Sequence, residues 1–305
     1  MRRLFSVIAV ATVLLASCSS STPEPQETGA PATEAPEPTA QTAAECLAAD
    51  PSVLYADGSL TIATGNPAYK PWYGGAATPQ GAEWEVFDYT GDPYSGEGYE
   101  SAFAYALAAQ LGLSADQVAW IGIRFGQSFA PGDKEFDFAM QQVSITAKRA
   151  QAVDFSVGYF DVNQALIANE GSPAIGVTTL EGLKDLRLGA PVGTTSLQVI
   201  EELVQPNVEP GAYDDLDLAL QDLENGQLDA VVVDYPTAFY GYADVVVGQF
   251  PALGGEQEQF GLTFQLGNPL RTCVDLAIEE LRAAGTLDAL KSQWLVTDTS
   301  VPTFS

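Results

Sequence analysis

Apolar residues along this chain recur in two rhythms. Short runs rich in β-branched and aromatic residues, such as LTIAT at 60–64 and VVVD at 231–234, read as strands. Between them apolar positions recur every three or four residues. Phe103, Leu107 and Leu111 predict a helix over 99–111, and Gly112 is placed to end it. Read this way, strands are expected at 60–64, 120–125, 138–143, 165–168, 188–192, 229–233 and 262–265. Helices are expected at 99–111, 179–186, 196–204, 215–225, 273–284 and 286–294, and Thr146 can cap a short one through Arg149 to Val153. Strand and helix alternate throughout, which is the pattern of an α/β fold, and the rhythm runs through twice. Two similar α/β halves are therefore expected.

The first residues follow neither rhythm. Arg2 and Arg3 precede a nearly all-apolar run from Leu4 to Ala16, which is short for a membrane span and has the length of a secretory signal's apolar region. The run ends in LASC at 15–18, which resembles a bacterial lipobox. Residues 1–17 are thus expected to be a lipoprotein signal peptide, with Cys18 lipidated and anchoring the protein to the cell membrane from outside. An ordinary signal cut elsewhere is the other reading. Residues 19–44 hold only Pro, Glu, Thr, Ala, Ser, Gln and Gly, too little apolar surface to offset chain entropy. Residues 18–45 are read as a flexible tether. About 260 residues remain, enough for two lobes.

Charge narrows the partners. The formal net charge is −28, and without Arg2 and Arg3 ten basic residues face 40 acidic ones. So acidic a chain offers no basic footprint for nucleic acid. With Cys18 set aside, Cys46 and Cys273 remain, either as a disulfide suited to an oxidising compartment or as two free thiols. There is no His, which removes Ser-His-Asp and Cys-His catalysis and the common metal sites. No cofactor or metal is expected.

What remains suits a zwitterion. An α-amino acid needs a planar cation for its carboxylate and a carboxylate for its ammonium. Arg149, in SITAKR, is one of the few basic residues and directly follows a predicted strand. Thr194 and Thr195, in GTTS at 193–196, lie between strand and helix, where free N–H groups favour an anion. Asp234 ends VVVD, at the strand edge where ligands of open α/β sheets gather. Each alone has a plain structural explanation: a surface Arg, a helix cap, a capping Asp.

Together, in order and spacing, they resemble the amino-acid-binding proteins of ABC importers, the family 3 solute-binding proteins. The stretches LTIATGNPAYKPW (60–72), EFDFAMQQVSITAKRAQAVDFS (135–156), LENGQLDAVVVDYP (223–236) and LRAAGTLDALKSQWL (281–295) carry the likeness. The resemblance implies a type II periplasmic-binding-protein fold. Lobe 1 would comprise 46–160 and 261–305 and lobe 2 161–260, joined by crossovers near 157–163 and 256–261. It implies that Arg149 and Thr195 hold the ligand carboxylate. Asp234, the Ser144 hydroxyl and the Gln142 carbonyl would hold its ammonium, and Tyr69 and Phe125 would enclose its side chain. A membrane-embedded ABC permease is the implied partner. Asn66 stands where many members have Asp, and Gln142 replaces a Gly or Ser, which would narrow the pocket. The segment 73–98 is longer than usual. Competing expectations are an enzyme on the same fold, such as a cyclic-acid dehydratase using Glu83 or Glu85, and a surface interaction protein that has lost its pocket.

Overall fold

The computed structural model describes residues 41–296 and 300–305. Cys18, the signal 1–17 and the tether up to residue 40 lie outside the described residues. Two five-stranded sheets dominate, and they are built to one plan. In the first, Val118–Gly122, Leu60–Thr64 and Phe138–Ala139 lie side by side and parallel, followed by Thr263–Phe264 and Asp154–Phe155 in antiparallel pairing. In the second, Gly211–Tyr213, Leu188–Pro191 and Ala230–Asp234 run parallel, then Gln164–Ala168 and Val245–Gln249 pair antiparallel.

Each sheet buries its apolar strands under helices. The first core gathers Leu60, Ile62, Phe103, Leu107, Phe138, Val274 and Ile278. In the second lobe alternate strand residues face opposite ways. Leu166, Leu188 and Val232 pack with Ile200 on one face, while Ile167, Val231 and Val233 pack with Ala219 and Leu223 on the other. Covering both faces is what lets these strands be apolar throughout. Between the lobes, Phe160–Val162 and Glu258–Phe260 form a two-stranded antiparallel ribbon within the two expected crossovers.

Several expectations change. The tether's last residues are ordered: Ala43–Ala49 is a helix begun by a Thr42–Glu45 capping box, and Ala43 and Leu47 are buried. Cys46 on this helix is joined to Cys273 on Leu270–Ala283 by a disulfide. Composition alone hid this, because one covalent bond and one cap supply what apolar residues do not. The strand expected to reach Phe125 stops at Gly122, and Phe125–Ser128 is a helical turn. The helix expected over 179–186 is only a turn, Glu181–Leu183. The last residues, expected in lobe 1, pack instead on lobe 2. Phe304 lies against Phe250, and its N–H donates to the Gln249 carbonyl.

Candidate functional site

The strand ends of both sheets converge on one cluster. Arg149 opens a 3₁₀ turn, Arg149–Gln151, whose start is fixed by its N–H donating to the Thr146 hydroxyl at 3.2 Å. The residue as a whole is nearly buried, at 8% exposure. Its guanidinium sits over the rings of Phe129 and Phe125, with centroids at 4.5 and 5.5 Å. One nitrogen donates to the Ser144 carbonyl at 2.7 Å and another to the Gly193 carbonyl, in the other lobe, at 2.9 Å. Five N–H donors are available on a guanidinium, so donors remain for a ligand. Among the described residues it forms no ion pair with a carboxylate.

Asp234 ends its strand directly opposite Gln164 in the antiparallel register. The Gln164 side-chain nitrogen donates to Asp234 Oδ1 at 2.8 Å, and its oxygen accepts from Ser196 Oγ at 2.7 Å. The Ser144 and Thr195 hydroxyls, one from each lobe, lie 3.2 Å apart. Both donate to a single oxygen of Glu258, each at 2.6 Å. Glu258 comes from the ribbon, so lobe 1, lobe 2 and hinge all contribute. Other contacts close the lobes together: Trp72 Nε1 donates to Thr237 Oγ1 at 3.0 Å and Tyr242 Oη to the Lys70 carbonyl at 2.6 Å.

The electrostatics follow from enclosure. Burial lowers the Arg149 guanidinium to about 10, against the pull of Glu258 and Asp234. Asp234 keeps a small accessible edge, yet its surroundings push it up to about 8. Loss of solvation is the largest cause, Glu258 the next, and Glu100 adds to them; Gln164 and Arg149 act in the opposite sense. Glu100 is itself fully buried, and burial raises it above the usual carboxylate range.

The remaining predicted residues have diverse fates. The Gln142 side chain does not narrow the cleft: its backbone N–H donates to Glu100 at 2.9 Å and its amide nitrogen also bonds Glu100. These bonds hold Gln142 at φ +50°, a conformation that non-glycine residues rarely adopt. Thr194 is occupied as a helix cap, accepting from the Leu197 N–H and donating to the Pro191 carbonyl. Asn66 is exposed, and both ends of its amide bind the backbone of 83 and 85. Tyr69 packs against a buried second-lobe cluster that includes Val233, Ala238 and Tyr242, beside Asp217. Phe125 is half-buried under Arg149. Glu83 and Glu85 are exposed in the long loop. Sequence reasoning missed Gln164, Glu258 and Glu100. Gln164 leaves one trace, a polar residue opening an apolar strand; Glu258 sits in an acidic stretch that looks like ordinary surface.

One surface hollow, about 560 Å³, is walled by Asp154, Arg271, Asp275 and Glu279 and shares no residue with this cluster. It is an open groove in which Arg271 already pairs with Asp275 at 3.3 Å. The enclosed polar cluster has the better chemistry for a solute.

Two lobes of one plan, a hinge ribbon, and polar groups meeting at strand ends from both sides define a solute-binding protein of the periplasmic-binding type. The comparisons make this specific. A family model for bacterial extracellular solute-binding proteins, family 3, matches residues 81–297, and the chain belongs to that family. It is 32% identical over 223 residues to the L-cystine-binding protein TcyJ of Escherichia coli, covering 70% of this chain and 79% of that one. Among solved structures it resembles an ancestral arginine-binding protein bound to arginine, at 26% identity. That match has a TM-score of 0.62 and covers 78% of this chain and 98% of the other. An ancestral amino acid-binding protein described as a precursor of cyclohexadienyl dehydratase is 25% identical. It has a TM-score of 0.61 and covers 78% of this chain and 96% of that one. The protein is thus an extracytoplasmic solute-binding protein of the kind that serves ABC transporters.

Proposed function

We propose that the protein captures an α-amino acid between its lobes and delivers it to a membrane-embedded ABC permease. The observation that carries this is the near-buried Arg149, with spare donors, bonded across the lobe boundary to Gly193 and within electrostatic reach of Asp234. A carboxylate at one end and an ammonium at the other would be matched by that pair, with Thr195 and Ser144 hydroxyls between them. The relatives named above bind cystine and arginine, which supports the ligand class. Closing on the ligand would shift a population from open to closed lobes.

Binding rather than catalysis is the reading the site favours. The carboxylates suggested as general acids, Glu83 and Glu85, are exposed on the loop, and the enclosed cluster is already hydrogen-bonded. The test is calorimetry with the twenty amino acids, alongside mass spectrometry of solute co-purified with the protein. At least one amino acid should bind and emerge unchanged after prolonged incubation. Chemical turnover of a bound ligand would replace this reading by the enzymatic one.

Anchoring at Cys18 belongs to the same proposal. Among the described residues no helix is long and apolar enough to cross a membrane, so a lipid at Cys18 would supply attachment. Cys18→Ala should abolish incorporation of a labelled fatty acid and shift the protein from the membrane fraction or leave it unprocessed. Undiminished labelling of that variant would refute the anchor.

A further inference from the structure

One carboxylate of the chain already sits on groups that the amino-acid reading gives to a ligand. Glu258 belongs to the hinge ribbon, where it pairs with Val162. Two contacts fix its strand against the first lobe. Phe260 bridges to Ser144, and the Ile145 N–H donates to the Gln259 carbonyl at 2.8 Å. Strand alternation turns Glu258 and Phe260 to one side and Gln259 to the other. Phe260 enters the first core, Gln259 is exposed, and the Glu258 carboxylate reaches into the gap between the lobes.

Donors from both lobes converge on it. Ser144 of the first lobe and Thr195 of the second donate to the same oxygen, each at 2.6 Å. The Gln164 side-chain nitrogen, also of the second lobe, lies 3.3 and 3.2 Å from the two oxygens while bonding Asp234 at 2.8 Å. The carboxylate thus joins the lobes through charge-assisted bonds, which are about twice as strong as those between neutral groups. A ligand carboxylate spanning Arg149 and Thr195 would draw the lobes together in the same manner.

Both carboxylates cannot be served at once. A hydroxyl carries one proton, and Ser144 and Thr195 give theirs to Glu258. The hydroxyls lie 3.2 Å apart, so a single oxygen spans them and no proton is left for a second acceptor. Arg149 already feels the charge of Glu258, so an incoming carboxylate would share that one cation with a rival of like charge. Glu258 also has a way out. It is half-buried, and Glu256, Gln257 and Gln259 around it are exposed, so its side chain can swing toward solvent.

Resting on the amino-acid reading above, we infer that Glu258 is an internal stand-in for the ligand carboxylate, an autoinhibitory contact that closes the lobes on themselves and is displaced when a solute is captured. It sets the concentration at which capture begins. A self-closed population of about 90% raises the apparent Kd about tenfold.

Calorimetry, stopped-flow fluorescence and small-angle scattering on the full chain test this, after removal of co-purified solute and with the twenty amino acids and cystine as probes. Glu258→Ala should bind whichever probe the parent binds about tenfold more tightly, with the gain in the association rate, because the binding-competent fraction rises. Before any probe is added, its radius of gyration should exceed the parent's, and saturating probe should bring the two together. Glu258→Gln keeps the shape but offers a neutral acceptor, so it should show the same changes at smaller size, and it carries the test should the alanine variant not fold. Binding by the variants that is unchanged or weaker would overturn the inference, because Glu258 would then support the ligand rather than compete with it. So would identical probe-free scattering from the parent and Glu258→Ala. If no probe binds any of the three proteins, the amino-acid reading falls. The scattering comparison then still decides whether Glu258 closes the lobes: an expanded variant upholds that contact and an unexpanded one removes it.

Discussion

Arg149→Ala is expected to weaken amino-acid binding by on the order of 10²-fold or more. The guanidinium bridges the lobes, holding the carbonyls of Ser144 and Gly193 while keeping donors free. Its loss would leave the ligand carboxylate unmatched in an enclosed site, at about 2–5 kcal/mol. Every 1.4 kcal/mol is about tenfold in affinity. Arg149→Lys should fare little better, because one ammonium cannot satisfy two diverging carbonyls and a planar carboxylate at once. The ring faces of Phe125 and Phe129 would also lose the flat partner stacked on them. Calorimetry on both variants, with thermal melts to confirm folding, checks this. A folded Arg149→Ala protein binding within threefold of the parent would show that the carboxylate is held elsewhere.

Replacing both Cys46 and Cys273 by serine is expected to cost about 2–5 kcal/mol of stability. The two residues are separated by 227 positions in sequence, so their bond closes most of the folded chain into one loop. In the chain-entropy picture a loop of that length stabilises by roughly 5 kcal/mol. The bond also fastens the Ala43–Ala49 helix, which has only seven residues and few buried side chains of its own. Without it that helix should fray first, because so short a helix is not stable alone. Urea titration of the oxidised parent and the double variant measures the difference. A change below 1 kcal/mol would mean that helix packing through Ala43 and Leu47 suffices.

Much of this molecule could be read from its apolar rhythm because burial imposes the rhythm. Leu60–Thr64 and Ala230–Asp234 are buried along nearly their whole length, so no charged residue interrupts either before its end. Thr195 and Asp234 drew attention as candidates because each sits at the end of such an element, and Arg149 because it is one of few basic residues, although the strand before it stops at Ala139. Glu258 was not, because what places it is pairing between two segments almost a hundred residues apart, Phe160–Val162 and Glu258–Phe260. Glu100 was hidden by its helix. It occupies an ordinary helical position in Tyr99–Gln110, and only the turn at Gln142 brings donors onto it. The helix at Ala43–Ala49 escaped composition for a similar reason: its partner, Cys273, lies at the far end of the chain.

The return of residues 300–305 to the second lobe makes a leash of the segment before them. Leu295 belongs to the core of the first lobe, while the Val301 carbonyl accepts from the Gln249 side chain of the second. The chain between those two positions can reach no more than roughly 20 Å when fully stretched, at about 3.3–3.6 Å per residue. However far the cleft gapes to admit a solute, the lobes cannot separate beyond that distance at this edge. Gln249 also bonds Asn163, next to the ribbon, so the point where the last residues attach lies close to the hinge. A single cut between 295 and 301 would touch no residue of the candidate site. It would instead lengthen the swing and slow the return stroke, turning a tethered clamp into a looser one.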